Sequence, residues 1–180
     1  MRVREGDLLK DLNGIIFDVK GLVHPTSMAV AFPRFIPDSS GDRMHGKALY
    51  GKIYSMSSRF TFLEQNIPRY IVHDPVFDEK LCEVPLENVR KHYEPINRLK
   101  QLRSGKKLDS LERVTVEFLD ILKRNASAPW TKMGVSGSLL AKLHTPNSDI
   151  DPIIYGSRNC FKVYGALKSL AQDFRSHIRA

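Results

Sequence analysis

The residues of this chain best suited to chemistry are a Gly-Ser pair, Gly137-Ser138, and two aspartates one residue apart, Asp149 and Asp151, the second preceded by Ser148-Asp149-Ile150. Two carboxylates side by side repel. A hard divalent cation, magnesium or manganese, relieves that repulsion and fills its remaining positions with water and phosphate oxygens. Gly137 lets the backbone come close to a ligand with no Cβ in the way. Ser138 adds a hydroxyl and a backbone N–H at the start of a short helix expected over Leu139 to Leu143, where amides favour a phosphate. Phosphoryl transfer needs such charge neutralisation and positioning more than it needs covalent chemistry from the protein.

The elements that must position these groups lie within MGVSGSLLAKLHTPNSDIDPIIYG, residues 133 to 156. The pattern reads as a strand, a tight turn, the short helix, a loop and a second strand. If that strand begins at Asp149, alternation puts both aspartates on one face and Ile150 on the other. Two amphipathic helices flank the segment. Leu108, Leu111, Val114, Phe118, Ile121 and Leu122 recur at helical steps over Leu108 to Arg124, and Cys160, Phe161, Tyr164, Leu167, Leu170, Ala171 and Phe174 do so near the end.

Upstream, residues 1–85 alternate β-favouring runs (IIFDV, MAVAF, KIYSM, RYIVHDPVF) with Pro/Gly/Asp-rich punctuation, which predicts a strand-rich module. One helix is expected there, Ser57 to Asn66, with Phe60, Phe62 and Leu63 inward. Asp38 to Lys47 reads as a mobile polar loop carrying Arg43, His45 and Lys47. Residues 86–107 read as a helical, basic connector: short helices over Leu86 to His92 and Pro95 to Arg103, and a solvated basic run from Arg98 to Lys107. Trp130 reads as a packing residue.

Gly137-Ser138, ten residues (139–148) and then Asp149-x-Asp151 together resemble the GS…(S)DxD motif of the DNA polymerase beta-type nucleotidyltransferase superfamily. The wider chain, through IIFDVKGLVHP, IVHDPVFDEKLCEVP and GVSGSLLAKLHTPNSDID, resembles uncharacterised archaeal proteins with such a domain. The resemblance implies that Gly137 and Ser138, with Ser148 beside them, contact a nucleoside triphosphate such as ATP. It also implies that Asp149 and Asp151 are the catalytic magnesium ligands. The family also uses a third carboxylate on a later core strand. After Asp151 this sequence has one acidic residue, Asp173, near the end of the last expected helix; three expectations are open, namely a truncated relative, a third acid borrowed from the N-terminal module or from the second copy of a homodimer, and nucleotide binding without turnover. Pro152 removes a strand donor and suits an edge position.

The expected architecture is therefore α+β: a strand-rich module over 1–85, the connector over 86–107, and a short, incomplete polymerase beta-like core over 108–180. Two functions are open. One is metal-dependent transfer of a nucleoside monophosphate to a hydroxyl acceptor; the other is a degenerate module that binds nucleotide or nucleic acid without turnover. A formal charge of +8 favours anionic partners. The sequence lacks a long apolar segment and a leader-like N-terminus, so the expected setting is the cytoplasm, away from membranes. Cys82 and Cys160 lie too far apart to suggest a zinc site and are expected to be reduced and buried, and no two of the six histidines stand at the helical i, i+4 spacing.

Overall fold

The computed structural model describes the backbone of residues 1–178 and the side-chain surroundings of residues 1–172. Asp173 and Phe174, invoked above, lie outside the side chains described. The chain forms two compact units: Met1–Glu94 with Leu140–Thr145, and Pro95–Leu139 with Pro146–Ala180. The fold is mixed α+β with antiparallel pairing throughout.

The first unit is organised by its longest strand. Strands β1 (Leu8–Asp11), β2 (Ile16–Val19), β3 (Met28–Pro37), β4 (Arg43–His45) and β5 (Ala48–Lys52) precede helix α1 (Met56–Asn66). After it come β6 (Ile71–Asp74), β7 (Glu79–Pro85) and β8 (Val89–Tyr93). The sheet order is β4-β5-β3-β2-β1-β8, and β7, itself paired with β6, also joins β3. Thus β3 serves three neighbours: β2 through Val19↔Ala31, β7 through Ala29↔Val84, and β5 through Ile36↔Gly51. Opposite β2 the register slips, because Ile16 faces Phe35 while Phe17 faces Pro33. Arg34 is the extra residue at that slip, next to a proline that cannot donate to the ladder.

Apolar residues of β1, β2, β3 and β7 close one core around Phe17, Phe32, Tyr70 and Val84, with Leu63 of α1 sealing it. A separate cluster gathers Leu8, Ile16, Phe35, Tyr50 and Tyr93 with Leu140, Ala141 and Leu143, which explains why residues 140–145 belong to this unit. The β1–β2 turn is held by Asp11, whose Oδ1 accepts from the Asn13 and Ile15 amides at 2.9 Å.

Several expectations for this unit need correction. Leu86 to His92 is not a helix: after one tight turn at Leu86–Asn88, Val89–Tyr93 extends as β8 and pairs β1 in the register Leu8↔Tyr93. The Asp38–Lys47 segment contains strand β4, hairpinned to β5. Arg43 is buried rather than surface-borne, and its Nη1 donates to the Leu143 carbonyl at 2.7 Å. In α1, Leu63 is buried as expected, but Arg59 is also buried, at 5% exposure.

In the second unit, α2 (Pro95–Ser104) and α3 (Ser110–Ala126) precede β9 (Met133–Val135). Helix α4 (Gly137–Ala141), β10 (Pro152–Ile154) and α5 (Ser157–Ile178) follow. Helix α3 starts with a capping box in which the Asp109 side chain accepts from the Glu112 amide and Glu112 reaches back to the Asp109 amide. Its buried face is Thr115, Leu119, Leu122 and Ala126, whereas Val114 and Ile121 are exposed. On α5, Val163 is buried and Leu170 partly so, while Phe161 and Tyr164 point outward at 76% and 69% exposure. Trp130 packs against the core with the Arg103 guanidinium 3.9 Å from its ring centre. Among the described residues no helix is long and apolar enough to cross a membrane.

Candidate functional site

The site is built on two short antiparallel strands. Valine, methionine and isoleucine fill β9 and β10, and the pair is registered as Pro152↔Val135, Ile153↔Gly134 and Ile154↔Met133. Pro152 takes the first position of β10, where a missing donor costs least. Beyond the ladder the Ser136 amide donates to the Asp151 carbonyl at 2.8 Å, and the Tyr155 amide donates to the Lys132 carbonyl at 2.8 Å. These two bonds clamp both ends of the pair, so Asp151 is held beside the Ser136-Gly137 turn.

Close approach demands glycine at 134, and a left-handed backbone demands it at 137. A Cβ on Gly134 would lie 2.6 Å from the Pro95 Cβ, which shows how tightly β9 is laid against the start of α2. Gly137 has φ +61°, and a Cβ there would fall 1.9 Å from Asp151 Oδ2. The carboxylate therefore occupies the space that any other residue at 137 would fill.

A buried ion pair supports the turn from beneath. Arg98 on α2 donates from Nε to the Leu139 carbonyl at 2.9 Å and pairs through Nη2 with Glu112 of α3. One guanidinium thus ties together α2, α3 and the opening of α4. The expectation of a solvated basic run is corrected at this residue: Arg98 is 7% exposed, whereas Lys106 and Lys107 are exposed.

Gly137 and Ser138 open α4, which spans Gly137–Ala141 rather than Leu139 to Leu143. Ser138 is buried at 5% exposure, so its hydroxyl is largely covered. Asp149 and Asp151 precede β10 instead of beginning it, and both are exposed. Ile150 between them packs against the helical core, which turns the two carboxylates away from that core. Ser148 is half-buried in the same connection. Among the described residues of this unit, no third carboxylate, thiol or imidazole joins Asp149 and Asp151 in a compact group.

The residues missed from the sequence are Arg98 and Glu112. Their only signal was Arg98 lying directly before apolar Leu99, on a helix whose Leu99 and Leu102 are buried.

No protein-family model matches the chain, and no solved structure matches it. The chain is 31% identical over 182 aligned residues to the uncharacterized protein MJ1086 of Methanocaldococcus jannaschii, an alignment covering 96% of this chain and 53% of that protein. It thus spans about half the length of the curated relative it matches.

Proposed function

We propose that the Ser136–Asp151 region is the nucleotide and metal site of a nucleotidyltransferase that moves a nucleoside monophosphate from a nucleoside triphosphate to a hydroxyl acceptor. The observation that carries the reading is the seating of the Asp151 carboxylate against the backbone of Gly137. It brings an acidic ligand and an unencumbered turn to the same place, as a triphosphate with its cation requires.

The donor set suits magnesium, which keeps several waters and needs only one or two carboxylates besides substrate phosphates. Asp149 and Asp151 would hold it, and it would supply charge neutralisation on the phosphate oxygens. The Gly137 backbone gives the phosphates room to approach. Arg98 and Glu112 keep the turn fixed beneath them. In the transfer, the acceptor oxygen bonds to the α-phosphorus, the bond from that phosphorus to the bridging oxygen breaks, pyrophosphate leaves and the hydroxyl proton passes to solvent.

Calorimetric titration of the four nucleoside triphosphates, with and without magnesium, tests the reading beside an Asp149→Asn/Asp151→Asn variant. Metal-dependent binding that the variant loses is the expected result. Binding that ignores both metal and variant sinks the assignment.

The burial of Ser138 favours a second reading, in which the site binds nucleotide without turnover. It predicts metal-dependent binding with no pyrophosphate release from any acceptor pool, and pyrophosphate production lost in the double variant excludes it.

A further inference from the structure

The strand-rich unit gathers three cations at the start of α1. Arg34 sits at the bulge of β3, where the register skips it, and bulges re-aim side chains away from the ladder. Its guanidinium donates to the Ile53 carbonyl at 3.0 Å and lies 5.8 Å from the centre of the Tyr54 ring. Lys52 Nζ lies 4.8 Å from the same ring. Tyr54 is itself 67% exposed, so the two cations are gathered around an aromatic group that faces solvent.

Arg59 adds a third cation from the first turns of α1. It is 5% exposed, its Nη1 reaches back toward Met56 Sδ at 3.8 Å, and its buried Nε has no hydrogen-bond partner. Burial, and then the nearby Arg34 guanidinium, lower its proton affinity; Asp18 opposes them. Asp18 is already paired with Lys20 at 2.8 Å. A buried guanidinium with an unmet donor beside a second guanidinium is costly unless an anion completes it.

Beside this cluster is an open cleft of about 560 Å³. Lys52, Tyr54 and Phe62 line it together with the hydroxyl residues Ser55, Ser57 and Ser58, and among the described residues no carboxylate does. The volume is that of a small-ligand pocket, and the wall combines aromatic surface, hydroxyls and positive charge. A paired duplex presents phosphates on a convex surface and keeps its bases stacked inside. An unpaired strand can place one nucleotide in a concave, aromatic-walled cleft while its phosphates meet the cations.

We propose that Arg34, Lys52 and Tyr54, with the cleft along α1, form a binding surface for single-stranded nucleic acid. The surface lies wholly within the strand-rich unit and does not depend on the nucleotidyl-transfer reading.

The test is fluorescence anisotropy of a labelled oligouridylate of about twelve nucleotides, titrated with the full chain between about 50 and 200 mM salt. The expected result is binding that weakens steeply with salt. Arg34→Gln/Lys52→Gln should weaken it about tenfold and flatten the log–log salt slope by about 1.4, two single-strand phosphate contacts at about 0.7 each. Tyr54→Ala should weaken binding with the slope unchanged; because Tyr54 is exposed, this variant keeps the test valid if the Arg34 variant fails to fold. Lys106→Gln/Lys107→Gln removes equal charge elsewhere and should stay within about twofold of wild type.

Asp149→Asn/Asp151→Asn should bind the strand like wild type, which separates failure here from failure of the transferase reading. The proposal is overturned by absent binding, by equal weakening from the Lys106/Lys107 pair, or by loss of binding in the aspartate variant. A duplex binding as tightly overturns it too, as does free uridine monophosphate competing at the concentration of the oligomer.

Discussion

The Asp151 carboxylate fills the volume that a side chain on Gly137 would need, with Oδ2 1.9 Å from the position of a Cβ. Gly137→Ala therefore meets two obstacles: a left-handed backbone and an occupied space. The first costs about 1–2 kcal/mol. Relief of the second requires Asp151 to move. Urea unfolding should show Gly137→Ala destabilised by about 2–3 kcal/mol. An Asp151→Ala background should recover part of that loss. Additive effects of the two substitutions would mean that the carboxylate does not define the turn.

Arg98 and Glu112 form a pair nearly removed from water, with side-chain exposures of 8% and 14%. Removing one partner strands the other. Glu112→Ala should cost about 3–5 kcal/mol, a value that includes the loss of its capping bond. Arg98→Met/Glu112→Leu should cost clearly less, because no charge is left behind. Chemical denaturation of the three proteins checks the ordering.

Asp74 and Glu83 place two buried carboxyl groups on neighbouring strands. Burial, then the Asp74 carboxyl beside it, raises the proton affinity of Glu83; Asp74 is shifted the other way, first by the Phe77 amide. Because the folded value for Glu83 is raised, its favourable contribution is full below the unfolded carboxylate range and is lost as pH rises through the folded value. At neutral pH the folded chain thus holds a carboxylate it would rather have protonated. Glu83→Gln mimics the protonated form, so thermal unfolding at pH 7 should shift upward by about 2–4 °C, and the advantage should shrink as pH falls toward 4. An equal shift at both pH values would remove the carboxyl pair as its cause.

The two thiols should react at different rates. Cys82 is buried in the sheet, and burial, then Glu83, push its thiol well above the ordinary range. Cys160 is exposed, with Sγ 3.2 Å from the Ile154 carbonyl. A disulfide reagent should titrate one thiol in the native chain and the second only on unfolding. Cys160→Ser should abolish the fast phase. Cys160 thus departs from the expectation that both thiols are buried.

Where local pattern carries the information, the fold was readable. Periodicity located α3 and α5, and the turn-rich alternation before residue 85 marked the strands of the first unit. Pattern failed where the partner is distant. Val-Arg-Lys-His-Tyr has too few apolar residues to look like a strand, and it becomes β8 because β1, some eighty residues away, supplies the ladder. The buried stripe of α3 includes Thr115, which satisfies its own hydroxyl on the Leu111 carbonyl and so can replace an apolar residue. Arg43, Arg59 and Arg98 carry no local sign of burial, since each is admitted by partners or surroundings that only tertiary structure supplies. At the site, spacing located the turn and the two aspartates, but the closeness of Asp151 to Gly137 depends on the β9–β10 register.

Leu140, Ala141 and Leu143 complete a core whose other members all lie before residue 95. The strand-rich unit is thus discontinuous in the chain, and this affects its biogenesis. During synthesis its sheet residues emerge long before the three apolar side chains that fill their gap, so an exposed cavity must persist until the ribosome has released Leu143. A gene fragment ending at Glu94 would encode every strand of that sheet and still yield a product with an unfilled interior, prone to self-association.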